Sequence, residues 1–344
     1  MRVVTIGAAA LAIVVAAGLG VLQAADSEPV TLAVLRGDGV LIPFATRIGT
    51  KWDHSWPKPI KEADVPLTLD DVPRRWWGKV MPTRTWHAWQ IDGTSSQIEV
   101  ERPVWYLAQC QQGVGLKTSL TARPPLPPPT RQPYPKLGVA ATAPLPFQRI
   151  EPLRQRDAIW PLVAAALDKA VALAESKMDG RPRVNVGFAP KHPMPAAERA
   201  KVAVRVESLY RMPLARDRFL YYVEATKTYG MPPMSAATEG RFPTPGPDGC
   251  SFRTFAGGWF VAGAQGGLPE TLQLEDVKLT SCGYDGVWLM LPLAYIADPA
   301  RLWIAQLSSR DRESYAVLRW DAEQGMPAAV WMTPAGACEN SDGW

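Results

Sequence analysis

Histidine is scarce in this chain, with three in 344 residues, and none of them stands in an H-E-x-x-H pair. A zinc hydrolase of that type has no ligand set here. Cysteine is sparse too: Cys110, Cys250, Cys282 and Cys338 are the four present, and no two are spaced C-x-x-C, so a structural zinc site is excluded on spacing. The chain also lacks G-x-S-x-G, a glycine-rich phosphate loop and an EF-hand run. Nothing in it calls for a metal or an organic cofactor. Charged residues make up only 20%, and the net +4 is dispersed without any run of lysine or arginine, so nucleic acid is not an expected partner. Long helices are opposed by 34 prolines.

One long apolar run is present, at the start. Arg2 and the amino terminus precede an uncharged stretch from Val3 to Leu22, and Ala24 and Ala25 offer small side chains for cleavage. The pattern predicts an export signal over residues 1–25, with the mature protein in the periplasm or secreted. The alternative is a retained anchor, because 20 residues at about 1.5 Å each can just cross a hydrocarbon core. Only in that case is a membrane a partner. An even number of cysteines in an exported chain predicts two disulfides. Cys250 and Cys282 both adjoin glycine at turn-like sites and are the expected pair, leaving Cys110 with Cys338; three pairings are formally open.

The remaining chain divides into a β-rich, tryptophan-dense region over 26–122, a proline-rich linker or surface loop over 123–147, and a second β-rich region over 148–344 carrying one helix near 157–179. Val30 to Arg36 and Val40 to Thr46 flank Gly37-Asp38-Gly39, which predicts a hairpin with a type I′ turn, and Pro43 demands a bulge or a free side. Arg36-Gly37-Asp38 also spells an integrin-type tripeptide, but the turn alone accounts for it. Ile98 to Cys110 and Val114 to Leu120 read as strands joined at Gln111-Gln112-Gly113. Seven prolines in the thirteen positions Arg123 to Pro135 favour polyproline II, and Leu137 to Ala143 reads as a short strand after it.

Ile159, Leu162, Val163, Ala166, Leu167, Ala170, Val171 and Ala174 draw one apolar stripe at helical spacing, with Asp157 as the expected cap and Asp179-Gly180 as the stop. Val202, Val204 and Val206 alternate with polar neighbours, and Phe219 to Tyr229 answers as a second strand whose Tyr221, Val223 and Ala225 share one face. Further strands are expected at 251–262, 271–280, 287–297, 302–307 and 314–320. The fold class is therefore mainly β, built of antiparallel hairpins in a propeller- or sandwich-like arrangement with one amphipathic helix. An α+β arrangement is the alternative. No blade period holds along the chain.

Two site candidates emerge. Trp52, Trp76, Trp77, Trp86 and Trp89 lie in a proline-interrupted stretch that also holds His54 and His87, and loop indoles can stack on sugar rings or on a protein surface. Core filling is the competing use. Glu224, Asp311 and Glu313 are the candidate carboxylates for a glycosidase-like pair, against which stand simple ion pairs with Arg216, Arg218, Arg310 or Arg312. Ser55 and Lys58 match S-x-x-K in letters, but Pro57 opposes the helical turn that motif needs. The leading expectation is an exported, disulfide-stabilised, non-catalytic binding or structural module with an aromatic surface, its partner a carbohydrate or an envelope protein. A glycan-acting hydrolase and a membrane-anchored envelope assembly subunit are the alternatives.

Overall fold

The computed structural model describes residues 28–56, 61–108, 111–120, 136–179, 192–215, 218–230, 252–263, 272–281, 289–296, 301–308 and 313–333. The apolar run Val3 to Leu22, the proline-rich run before residue 136, Asp311 and all four cysteines lie outside the described residues. Within them the chain is mainly β and every sheet is antiparallel, as the alternating pattern predicts.

β1 (Val30–Arg36), β2 (Val40–Ile48), β3 (Lys51–Asp53), β4 (Thr85–Gln90), β5 (Ser95–Ala108), β6 (Gln111–Thr118) and β7 (Lys136–Ala141) bond in the order β1-β7-β4-β5-β6-β2-β3. β1 also pairs with β2, which closes six strands into a barrel and leaves β3 as a short extension of its rim. Two five-stranded sheets follow, each with a two-residue strand at one edge, β8 (Phe147–Gln148) or β9 (Glu151–Pro152). β9 lies beside β10 (Arg205–Ala215), β11 (Arg218–Tyr229), β12 (Phe252–Gly263) and β13 (Leu272–Ser281) in an outer sheet. β8 lies beside β14 (Leu289–Ile296), β15 (Leu302–Ser308), β16 (Glu313–Asp321) and β17 (Met326–Met332) in an inner sheet.

Side-chain parity stacks these parts in layers. Val34, Phe44 and Val139 on the outside of the barrel meet Ile304, Tyr315 and Val317 of the inner sheet. The other face of that sheet presents Trp303, Ala305 and Ala316 to Tyr222, Trp259 and Val261 of the outer sheet. Beyond it, Tyr221, Val223 and Phe260 receive Val163, Leu167 and Val171 of the long helix, Trp160–Asp179. The face assignment expected for Tyr221, Val223 and Ala225 is the observed one. The arrangement is thus a barrel joined to a helix-backed sandwich, rather than a set of propeller blades.

Local chemistry adjusts several expectations. The Gly37–Gly39 turn is a three-residue connection: Gly39 N–H bonds Arg36 C=O at 3.0 Å, and of the three only Gly39 has positive φ, at 77°. A type I′ turn would need two such residues in sequence. A side chain at Gly39 would also strike the Leu120 carbonyl, since a Cβ there would fall 2.0 Å from its oxygen. Arg36 is 2% exposed and pairs with Asp38 at 2.9 Å, so the tripeptide is folded inward. Pro43 sits at a register shift between β1 and β2, where a missing donor is tolerated. Gln111 and Gln112 are ladder residues, Gln111 pairing with Ala108, and the reversal falls before them. The helix starts at Trp160 because the Asp157 carboxylate turns back to accept the Arg154 N–H at 2.5 Å, leaving its carbonyl to take Trp160 N–H at 2.9 Å.

Burial of the helix stripe against the outer sheet sets its stability contribution. Leu167 is fully buried there, so Leu167→Ala is expected to cost about 2–5 kcal/mol, read from the shift of the urea midpoint.

Candidate functional site

The tryptophan-dense stretch divides into two populations. Trp56, Trp76, Trp77 and Trp86 are buried with the barrel's interior residues Leu35, Leu41 and Leu116. Trp56 meets Trp76 and Trp77 edge-on at 5.7 and 5.2 Å and donates its Nε1–H to Val114 C=O at 2.7 Å. The segment around the helical turn Arg74–Trp77 carries these indoles, with Leu69 and Val72, against the barrel interior, so prolines in this stretch shape a plug. Trp76, Trp77 and Trp86 therefore contribute no aromatic surface, which corrects the expectation placed on them.

Trp52 and Trp89 are half-buried on the outside of the barrel, and they flank it on opposite sides: β3 lies beyond β2, whereas β4 lies beyond β7. Trp52 has company. His54, two residues on, approaches the ring of Trp331 at 6.5 Å, and Trp331 donates its Nε1–H to Phe44 C=O at 3.1 Å. All three rings are half-buried. Burial lowers the His54 pKa against the opposing pull of Asp53. Trp331 is the member that local sequence could not supply, because it stands on β17, far along the chain from Trp52.

The carboxylate candidates separate. Glu224 points from the outer sheet into the sandwich, accepting Tyr222 Oη–H at 3.0 Å, Ser208 Oγ–H at 2.9 Å and Met290 N–H at 2.7 Å. Burial raises its pKa, although these three hydrogen bonds oppose the shift. Glu313 shares the opposite face of the inner sheet with Tyr315 and Val317 and pairs with Lys136 Nζ at 2.9 Å. Tyr315 Oη–H and Gln306 Nε2–H also donate to it, the latter at 3.1 Å. Burial lowers the Lys136 pKa and, with the Glu313 charge, pushes Tyr106 up to about 12. A sheet thus stands between Glu224 and Glu313, and two carboxylates so placed cannot flank one glycosidic bond. Asp311 lies outside the described residues.

A third buried carboxylate, Glu175, escaped the sequence reading although it continues the helix stripe four residues after Val171. It accepts Tyr229 Oη–H at 2.5 Å and Thr254 Oγ1–H at 2.6 Å. Lys227 Nζ lies 3.6 Å away, Arg199 Nε 3.8 Å and His192 Nε2 3.6 Å. Met194 N–H donates to His192 Nδ1 at 3.1 Å, which puts the imidazole proton on Nε2, facing the carboxylate. Burial alone would raise the Glu175 pKa, but His192, the two hydroxyls and Lys227 outweigh it and hold it at about 2. Glu313, Glu224 and Glu175 occupy the three successive junctions of the stack: barrel with inner sheet, inner sheet with outer sheet, outer sheet with helix.

An open hollow of about 410 Å³ lies where the chain passes from β8 into the helix, lined by Arg149, Glu151, Pro152, Arg154, Arg156 and Asp157. Among the described residues there is no cluster of three or more metal-ligating side chains, and no helix is long and apolar enough to cross a membrane. Comparison with known families, curated proteins and solved structures gives no match.

The low pKa of Glu175 makes a signed prediction. A carboxylate depressed from 4.5 to about 2 adds stability that is fully present above its unfolded pKa and is lost as pH falls toward 2. Glu175→Gln should cost about 3–5 kcal/mol at neutral pH by leaving Lys227 unmatched, and should flatten the acid limb of urea-derived stability below pH 4.5.

Proposed function

We propose that this protein is a non-catalytic binding module, exported from the cytosol, that meets its ligand through the aromatic group Trp52, His54 and Trp331. The observation that carries this reading is the approach of His54, just after β3, to the ring of Trp331 on β17 at 6.5 Å, with Trp52 half-buried against the same apolar cluster as Trp331, while Trp76, Trp77 and Trp86 are consumed by the barrel interior. Flat apolar faces with an N–H at the margin suit the apolar face of a pyranose ring, so a carbohydrate is the ligand class. The buried carboxylates support a non-catalytic role, because Glu224 and Glu313 are each saturated by internal donors on opposite faces of a sheet. Export rests on the leader, Met1 to Ala25, and two disulfides among Cys110, Cys250, Cys282 and Cys338 belong to the same proposal.

The test is a glycan array with the mature protein, beside a reducing-sugar release assay. Saturable glycan binding without release is expected, and Trp52→Ala with Trp331→Ala should weaken it about tenfold or more, in line with the loss of a hot-spot indole. Glu224→Gln should leave it unchanged. Release of sugar abolished by Glu224→Gln would overturn the reading in favour of a hydrolase, and binding indifferent to both indoles would overturn the patch.

A further inference from the structure

The hollow beneath the long helix has an unusual balance of charge. Arg149, Arg154 and Arg156 are all exposed; the Arg149 side chain reaches toward Gly93 and feels the charge of Asp92 in the turn between β4 and β5, whereas no ion pair is seen for Arg154 or Arg156 among the described residues. The two carboxylates on its wall are occupied. Glu151 takes both Nε–H and Nη2–H of Arg211 on its Oε2, at 2.9 and 2.5 Å, and Arg211 is further held over the Phe219 ring at 5.0 Å. Asp157 accepts the Arg154 backbone N–H at 2.5 Å and stands at the start of the helix. Asp157 keeps its charge, since a backbone N–H does not neutralise it, but with Glu151 matched by Arg211 the three arginines on the wall still outnumber the unmatched acids, and the net field in the hollow is positive.

Two features of the fold add to this. Residues 154–157 form the approach to a 20-residue helix, whose N-terminal end carries the positive pole of its dipole, although Trp160 and Val163 N–H are already bonded to Asp157 and Ile159 carbonyls. The hollow is also braced on both sides, since β8 bonds Tyr295 and Ile296 of the inner sheet and β9 bonds Tyr210 and Arg211 of the outer sheet. Arg149 lies between these two anchored strands, so its backbone is fixed at the point where the sheets diverge. A volume of about 410 Å³ falls within the usual range of small-ligand sites.

We propose that this hollow is a binding site for a phosphate-type oxyanion, held by Arg149, Arg154 and Arg156. It is distinct from the aromatic group: β8 and β17 form opposite edges of the inner sheet, and the two sites stand or fall separately. The oxyanion can come from free phosphate or from a phospholipid headgroup, which have the same recognising chemistry.

Calorimetric titration of the mature protein with inorganic phosphate, and flotation with phosphatidylcholine vesicles with or without phosphatidylglycerol, test it directly. Saturable phosphate binding that weakens with added sodium chloride is expected, and the triple variant Arg149→Ala, Arg154→Ala, Arg156→Ala should lose about tenfold or more of the affinity. A variant matched in charge but placed elsewhere, Arg75→Ala, Lys79→Ala, Lys177→Ala, should bind as the parent does. Flotation only with phosphatidylglycerol, lost in the first variant, assigns the headgroup; phosphate binding without flotation assigns the free anion. The proposal is overturned if neither probe binds, or if both variants weaken binding equally, which would report net charge alone. Circular dichroism matching the parent establishes that each variant is folded.

Discussion

One sheet serves two cores. The inner sheet lies between the barrel and the outer sheet, so almost every side chain along β14, β15 and the first half of β16 must leave water, whichever way it points. The sequences Leu-Met-Leu-Pro-Leu-Ala-Tyr-Ile and Leu-Trp-Ile-Ala-Gln-Leu-Ser answer that demand with near-continuous apolar runs, where a sheet with one wet face would alternate. Most polar groups in this sheet have a fixed partner: Gln306 donates to Ser308 and Glu313, and Ser314 donates to the Thr333 carbonyl, while Gln306 Oε1 and Trp303 Nε1 are buried without one among the described residues. The barrel, the sandwich and the positions of the buried carboxylates all follow from this double burial.

Each junction of the stack carries one of these carboxylates. An apolar interface between layers is tolerant of sliding, because dispersion and burial have little direction. A carboxylate with two or three fixed donors is intolerant of it, since a shift of one residue strands a charge in a dry interior. Glu313 with Lys136, Glu224 with the Met290 N–H, and Glu175 with Tyr229 and Thr254 each join residues from different layers or distant strands. We read them as registration points, which is a structural use of groups whose chemistry first suggested catalysis.

Much of the architecture was legible locally, and the limits of that legibility have identifiable causes. The hairpin of β1 and β2, the alternation of β11 and the helix stripe depend on neighbours a few residues apart, so the hairpin's pairing and the buried faces of β11 and the helix are legible in the sequence. Closure of the barrel depends on β7 inserting between β1 and β4 across a gap of about a hundred residues from β1, which no local pattern encodes. The fate of the indoles was equally non-local: proline-broken sequence tells that Trp76 and Trp77 lie in a loop, but only the fold turns that loop inward. Glu175 had a readable signal, as an acidic residue on the apolar stripe. Trp331 had none, because its significance comes from a strand at the other end of the chain.

The order in which the layers are encoded bears on how the polypeptide must be handled. Residues 30–141 complete the barrel, yet the apolar wall formed by Val34, Phe44 and Val139 receives most of its cover from strands that begin at Leu289, with Phe147 of β8 the earlier contribution. During synthesis the barrel is therefore a closed ring with a greasy exterior for as long as about the last sixth of the chain is missing. A chain of this design gains from being kept unfolded until its C-terminal segment has emerged.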